Sequence, residues 1–187
     1  MSLLDRAYCE ALDAQDPLAF ARTRFEIPDD VVYLDGNSLG ALPKATAAKI
    51  DSVIREQWGR DLITGWNKHG WVDLPRRLGA ALAKLIGADA DEVVVCDSTS
   101  LNVFKLLSAA LALQPERRVI LSDTGNFPTD LYMAQGLGDL LGRGHKLELV
   151  APEAVADRIG PDVAVVMLTE IDYRTGRRHD MAGINAK

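Results

Sequence analysis

The feature that most constrains this 187-residue chain is an alternation in its second half. Val93-Val94-Val95-Cys96 is a short, wholly apolar, β-branched run, and Arg118-Val119-Ile120-Leu121, Leu147-Glu148-Leu149-Val150 and residues 163–168 read as the next three strands. Between them lie stretches that read as helices: residue 101 to about Leu113, then 128–141, then a short one at 152–158. A strand covered on both faces has no polar side, so it reads as a continuous apolar run. Strands spaced by helices imply βαβ units. The alternation therefore predicts an α/β fold with a mainly parallel sheet of four strands flanked by helices. Hydrophobic residues make up 48% of the chain, enough for a sizeable core, which excludes disorder.

The first half reads differently. Residues 3–14 form an amphipathic helix with Leu3, Leu4, Ala7, Tyr8, Ala11 and Leu12 on one face. A short helix follows Pro17, since proline suits a first turn. Val31 to Leu34 is extended, and Asp35-Gly36-Asn37-Ser38-Leu39-Gly40 is a turn. Residues 43–58 are helical, 59–73 form a loop rich in Gly and Trp, and Leu74 to Ile86 is a helix that stops at Gly87. The expected division is a helical arm with loops over 1–73 and a partial α/β domain over 74–187. Residues 180–187 open a helix just as the chain stops. Four strands and a half-begun helix make an incomplete sheet, so the expectation is part of a longer protein.

Several function classes are excluded at this level. The net charge of −6 argues against a nucleic-acid-binding domain, which carries a basic stripe, but leaves a small phosphate open. Cys9 and Cys96 form no disulfide framework and no zinc pattern, so a reducing, cytoplasmic compartment is expected. The acidic N-terminus is not a signal peptide. No apolar stretch approaches the roughly 20 residues of a membrane span. His69, His145 and His179 are scattered, so no metal site is expected. There is no P-loop and no GxSxG elbow.

Three segments carry candidate chemistry. Asp97-Ser98-Thr99-Ser100 lies between a strand and a helix, where free N–H groups and hydroxyls suit an anion. By spacing alone a plain N-cap by Ser98 or Thr99 is the stronger reading. Asn126-Phe127-Pro128-Thr129-Asp130 follows the second strand, at the end of the sheet where open α/β folds bind ligands. Phe127 either stacks on a ring or staples onto the next helix. Gly65-Trp66-Asn67-Lys68-His69-Gly70-Trp71 places two tryptophans in a polar loop. They either contact a ligand or subunit, or cap the core.

Taken together, Tyr33 to Gly40, Gly65-Trp66, Asp97 to Asn102, Asn126 to Asp130, and Leu168-Thr169 with Tyr173-Arg174-Thr175-Gly176 resemble, in this order, the kynureninase family. The resemblance runs from about residue 5 to 187. It is closer to the bacterial form, because Trp66 stands where animal enzymes tend to have histidine. It implies aminotransferase fold type I, with the N-terminal arm and part of the large domain that binds pyridoxal 5'-phosphate. It implies that Thr99 and Ser100 contact the cofactor phosphate, which reverses the reading from spacing. Phe127 would stack on the pyridine ring, with Pro128, Thr129 and Asp130 shaping that wall and Thr169 facing the cofactor. Trp66 would contact the aromatic part of the substrate. Asn37 and Ser38 would lie near the active-site mouth, with a homodimer interface as one placement.

The implied reaction is hydrolysis of L-kynurenine, or 3-hydroxykynurenine, to anthranilate or its 3-hydroxy form and L-alanine, in tryptophan catabolism on the kynurenine pathway towards NAD. The family's Schiff-base lysine, the aspartate on the pyridine nitrogen and the histidine that follows it match nothing in this sequence. No catalytic residue is therefore assigned, Lys105 is read as pointing to solvent, and the chain alone is expected to be inactive. The alternatives are another fold type I enzyme, or a non-catalytic remnant that dimerises. Neither a nucleic acid nor a membrane is an expected partner.

Overall fold

The computed structural model describes residues 5–187. Leu3 and Leu4 of the expected first helix lie outside the described residues. The chain contains two compact units, Met1–Val93 and Val94–Lys187.

In the first unit, helix α1 (Arg6–Asp13) is capped by Asp5, whose carboxylate accepts the Tyr8 N–H at 2.8 Å. A 3₁₀ turn over Ala19–Arg24 follows Pro17. Two short strands then pair antiparallel: β1 (Phe25–Glu26) and β2 (Leu42–Pro43), with Phe25 opposite Pro43. Val31 to Leu34 forms no strand. The Tyr33 hydroxyl instead lies within hydrogen-bonding distance of the carbonyls of Asp35, at 3.0 Å, and Leu39, its one proton shared between them, and braces the turn. Helix α2 (Ala45–Ser52) runs into a π-helical stretch over Val53–Trp58. The expected loop at 59–73 is instead partly helical, with a 3₁₀ turn at Leu62–Thr64 and helix α3 (Gly65–Lys68). Helix α4 (Leu74–Ile86) has Pro75 in its first turn and ends at Gly87, whose φ of 74° is the left-handed conformation that glycine tolerates. The Leu74 N–H donates to Trp71 and the Arg77 N–H to Asp73, so α4 continues the first unit. The contact boundary thus falls at Val93, later than the division after residue 73.

The second unit is the α/β part. Helix α5 (Thr99–Leu113) leads to strand β3 (Val119–Asp123), helix α6 (Pro128–Leu141) and strand β4 (Lys146–Val150). A 3₁₀ turn at Pro152–Ala154, helix α7 (Val155–Arg158), strand β5 (Val163–Val166) and helix α8 (Met181–Asn185) complete it. The sheet is parallel in the order β4-β3-β5. It has three strands among the described residues, not four. Val93 to Cys96 has the composition of a strand but no ladder partner there, and composition alone cannot replace the missing hydrogen bonds.

Neighbouring residues of β3 face opposite ways, and both faces are covered at Ile120 and Leu121, which explains the apolar run Val119-Ile120-Leu121. Ile120 packs with Leu107 and Leu111 of α5 and Ala134 and Leu137 of α6. Leu121 packs with Val155 of α7 and Val163 of β5. Both are fully buried. Each contributes about 1.5–3 kcal/mol of hydrophobic stabilisation.

Candidate functional site

The carboxyl ends of β3 and β5 are joined by a buried polar network. The Ser122 hydroxyl donates to the Met167 carbonyl at 2.7 Å. The side-chain amide of Asn126 donates to Ser122 Oγ at 3.0 Å and to the Met167 carbonyl at 3.3 Å. Its Oδ1 accepts the Phe127 N–H at 2.7 Å and the Thr169 hydroxyl at 2.8 Å. One buried amide thus orders the loop after β3 and the chain after β5 together. Phe127 sits at the N-cap of α6, with Pro128, Thr129 and Asp130 in the first turn. Burial holds the Asp130 carboxyl above its ordinary value.

A reversing segment from Glu170 to His179 closes one side. The Asp172 N–H donates to Arg177, the His179 N–H donates to Glu170, and Ile171 bridges Arg178. The Asp172 carboxylate accepts the N–H groups of Arg174 and Thr175 at 2.9 and 2.8 Å. Tyr173 meets Phe127 in an edge arrangement, ring centroids 5.0 Å apart. A pocket opens between them, lined by Asn126, Phe127, Thr169, Asp172, Tyr173 and His179 among others.

The backbone N–H groups of Thr175 and Arg174 hold the Asp172 carboxyl below its ordinary value. A depressed carboxyl gives stability that is full above its unfolded value and is lost as pH falls through the folded one. The segment should therefore loosen only below the usual carboxylate range. Amide exchange at Arg174 and Thr175 should accelerate there, relative to the β3 amides. Unchanged relative protection down to that range would show that the carboxylate does not order the turn.

Thr99 and Ser100 open α5 in the same unit but do not line this pocket. Ser98 is the N-cap, its hydroxyl accepting the Leu101 N–H at 3.4 Å. The Thr99 and Ser100 amides lie in the first turn, where a helix offers no internal acceptor. No acidic side chain occupies that turn. The cap and anion readings are thus compatible. Lys105 does not simply extend into solvent: its ammonium pairs with Asp97, which raises its pKa, and approaches Cys96 Sγ to 3.8 Å.

The remaining expected residues belong to the first unit. Trp66, in α3, meets Trp71 edge-on at 6.4 Å, and the Trp71 indole donates to Gln57 Oε1 at 2.9 Å. Val53, Trp58, Leu62, Ile63, Trp66 and Trp71 line an apolar cleft. Beside it Asp61 pairs with Lys68 at 2.7 Å and His69 at 2.6 Å, which lowers its pKa. Asn37 and Ser38 are exposed in their turn, and Ser38 Oγ donates to Asp35 Oδ1 at 2.8 Å.

Sequence reasoning missed Ser122, Asp123 and His179. The signal available was a polar Ser-Asp pair ending an apolar strand. His179 offered none, because its partner lies far away in sequence.

Fold and site together define a parallel α/β chain with a pocket at the carboxyl ends of β3 and β5 that carries an aromatic wall, and, in the same unit, a helix whose first turn holds no acidic side chain. No family model matches the chain. It is 56% identical over 183 residues to a kynureninase of Pseudomonas fluorescens, covering 95% of this chain and 44% of that protein. It is 53% identical over 188 residues to a kynureninase of Deinococcus radiodurans, covering 98% and 45%. For a kynureninase of Burkholderia mallei the identity is 52% over 179 residues, covering 93% and 43%. The resemblance to kynureninases read from the motifs is borne out over nearly the whole chain. The chain spans less than half the length of the curated relatives it matches.

Proposed function

We propose that this chain is the N-terminal portion of a kynureninase and supplies part of a site that hydrolyses L-kynurenine to anthranilate and L-alanine. The observation that carries the reading is identity above 50% to kynureninases along 93–98% of the chain. The chemistry of the donor groups supports the implied cofactor. Free first-turn amides and two hydroxyls at Thr99 and Ser100 suit a phosphate dianion, and the half-exposed Phe127 ring suits a flat heterocycle. When bound, pyridoxal 5'-phosphate supplies an electron sink for carbanion chemistry.

In this reading Thr99 and Ser100 hold the phosphate, while Phe127 offers its face to the ring and Pro128, Thr129 and Asp130 shape that wall. Thr169 faces the ring, its hydroxyl oriented by its bond to Asn126. Trp66 contacts the aryl group of the substrate, and Asn37 and Ser38 lie at the mouth. A homodimer, a cytoplasmic location and a role in tryptophan catabolism towards NAD follow from the same reading. No helix among the described residues is long and apolar enough to cross a membrane.

The test is fluorescence detection of anthranilate released from L-kynurenine. The 187-residue chain alone should release none. Co-expressed with the remaining C-terminal portion of the Pseudomonas fluorescens kynureninase, it should form a complex that does. Turnover by the chain alone, or a folded complex that takes up cofactor and leaves kynurenine intact, would overturn the proposal.

A further inference from the structure

We infer that His179 is a positioning residue for the ring-binding wall, acting through the 170–179 segment without touching the ring itself. The inference rests on the cofactor reading above. His179 Nε2 donates to Asp123 Oδ2 at 2.9 Å, and the two side chains are only 7% and 4% exposed. Asp123 is the last residue of the central strand, and its other oxygen accepts the Gly125 N–H at 2.6 Å. One buried carboxylate therefore fixes both the loop that presents Phe127 and the far end of the segment that presents Tyr173.

The two pieces are also in direct contact. A Cβ on residue 125 would lie 2.7 Å from Asp172 Oδ2 and 3.0 Å from Asp123 Oδ1, so the loop must carry glycine to pass so close. Tyr173 then braces the Phe127 ring edge-on. A displacement of the 170–179 segment is thus passed to Phe127 through backbone and ring alike. Packing alone could bury these residues equally well, because a buried pair is a poor source of net stability. A hydrogen bond between two buried groups adds direction, and direction is what a stacking wall requires.

The experiment uses the 187-residue chain and pyridoxamine 5'-phosphate, a ring-and-phosphate probe that needs no anchoring lysine. Equilibrium dialysis gives affinity, and circular dichroism induced in the probe's absorption band reports how uniformly the ring is held. His179→Leu should weaken binding by about tenfold, the scale of one lost aromatic alignment, and abolish the induced signal per bound probe. His179→Gln, whose amide can still donate to Asp123, should restore most of both. Tyr173→Leu, which strands no buried charge, should lose the induced signal as His179→Leu does. Trypsin provides a readout without ligand: cleavage after Arg174, Arg177 or Arg178 should accelerate in His179→Leu and not in His179→Gln.

Wild-type binding and induced signal in a folded His179→Leu chain would overturn the inference. So would a failure of His179→Gln to rescue a folded chain, or an unchanged signal in Tyr173→Leu if His179→Leu does not fold. If the wild-type chain binds no probe, the cofactor reading falls and the positioning role falls with it. The trypsin comparison then decides separately whether His179 pins the segment.

Discussion

Asn126→Leu should dismantle the candidate site while leaving the helices of the second unit in place. Leucine keeps the branched four-atom outline of asparagine and is somewhat bulkier, so the substitution removes hydrogen bonds without opening a void. The Phe127 N–H and the Thr169 hydroxyl lose their shared acceptor, and Ser122 Oγ loses a donor. Each buried group left without a partner costs about 1–3 kcal/mol. Because the same amide holds the ends of β3 and β5 in register, the functional loss should exceed the loss of stability. Urea unfolding should show a lower midpoint, and binding of pyridoxamine 5'-phosphate should disappear even where the chain is folded. A variant with the wild-type midpoint and affinity would show that the network is incidental.

Ile120→Ala should be the most damaging single core truncation. Ile120 is inaccessible to solvent in the central strand, between α5 and α6. Truncating a buried isoleucine removes transfer energy and leaves a cavity, at a cost of about 2–5 kcal/mol. Domains are stable by about 5–15 kcal/mol, so this single change removes a large fraction. Leu140→Ala makes the contrast: that side chain is 72% exposed on α6, and the change should stay within about 0.5 kcal/mol. Chemical denaturation of both variants checks the pair, and equal midpoints would contradict the core described above.

The end of α4 was legible in the sequence because Gly87 stops the helix, and the span of α6 was read as 128–141, as found. The β3 and β5 segments were legible as apolar runs, and β4, which carries Lys146 and Glu148, through its place in the alternation of strands and helices. Val93 to Cys96 was misread for the same reason: an apolar run records a tendency, and a strand exists only beside a partner. The helical pieces within 59–73 were hidden by glycine and tryptophan, which read as loop formers where tertiary contacts decide. For the site, Phe127 and Thr169 were legible through motif resemblance. The amide that joins them was quoted in the motif without a role. The Asp123–His179 pair was illegible, since local spacing says nothing about groups 56 positions apart.

The strand order has a consequence for how the chain is made. β3 is the centre of the sheet and also the first of the three strands to be synthesised. Its neighbours arrive later, one on each side: Val119 pairs with Lys146 of β4 and with Val163 of β5. A nascent chain must therefore expose Val119, Ile120 and Leu121 until β4 emerges, and leave one flank bare until β5 follows. Both closures are non-local, which slows folding relative to a helical bundle of the same size. An apolar strand left unpaired during that interval is a template for pairing with another chain.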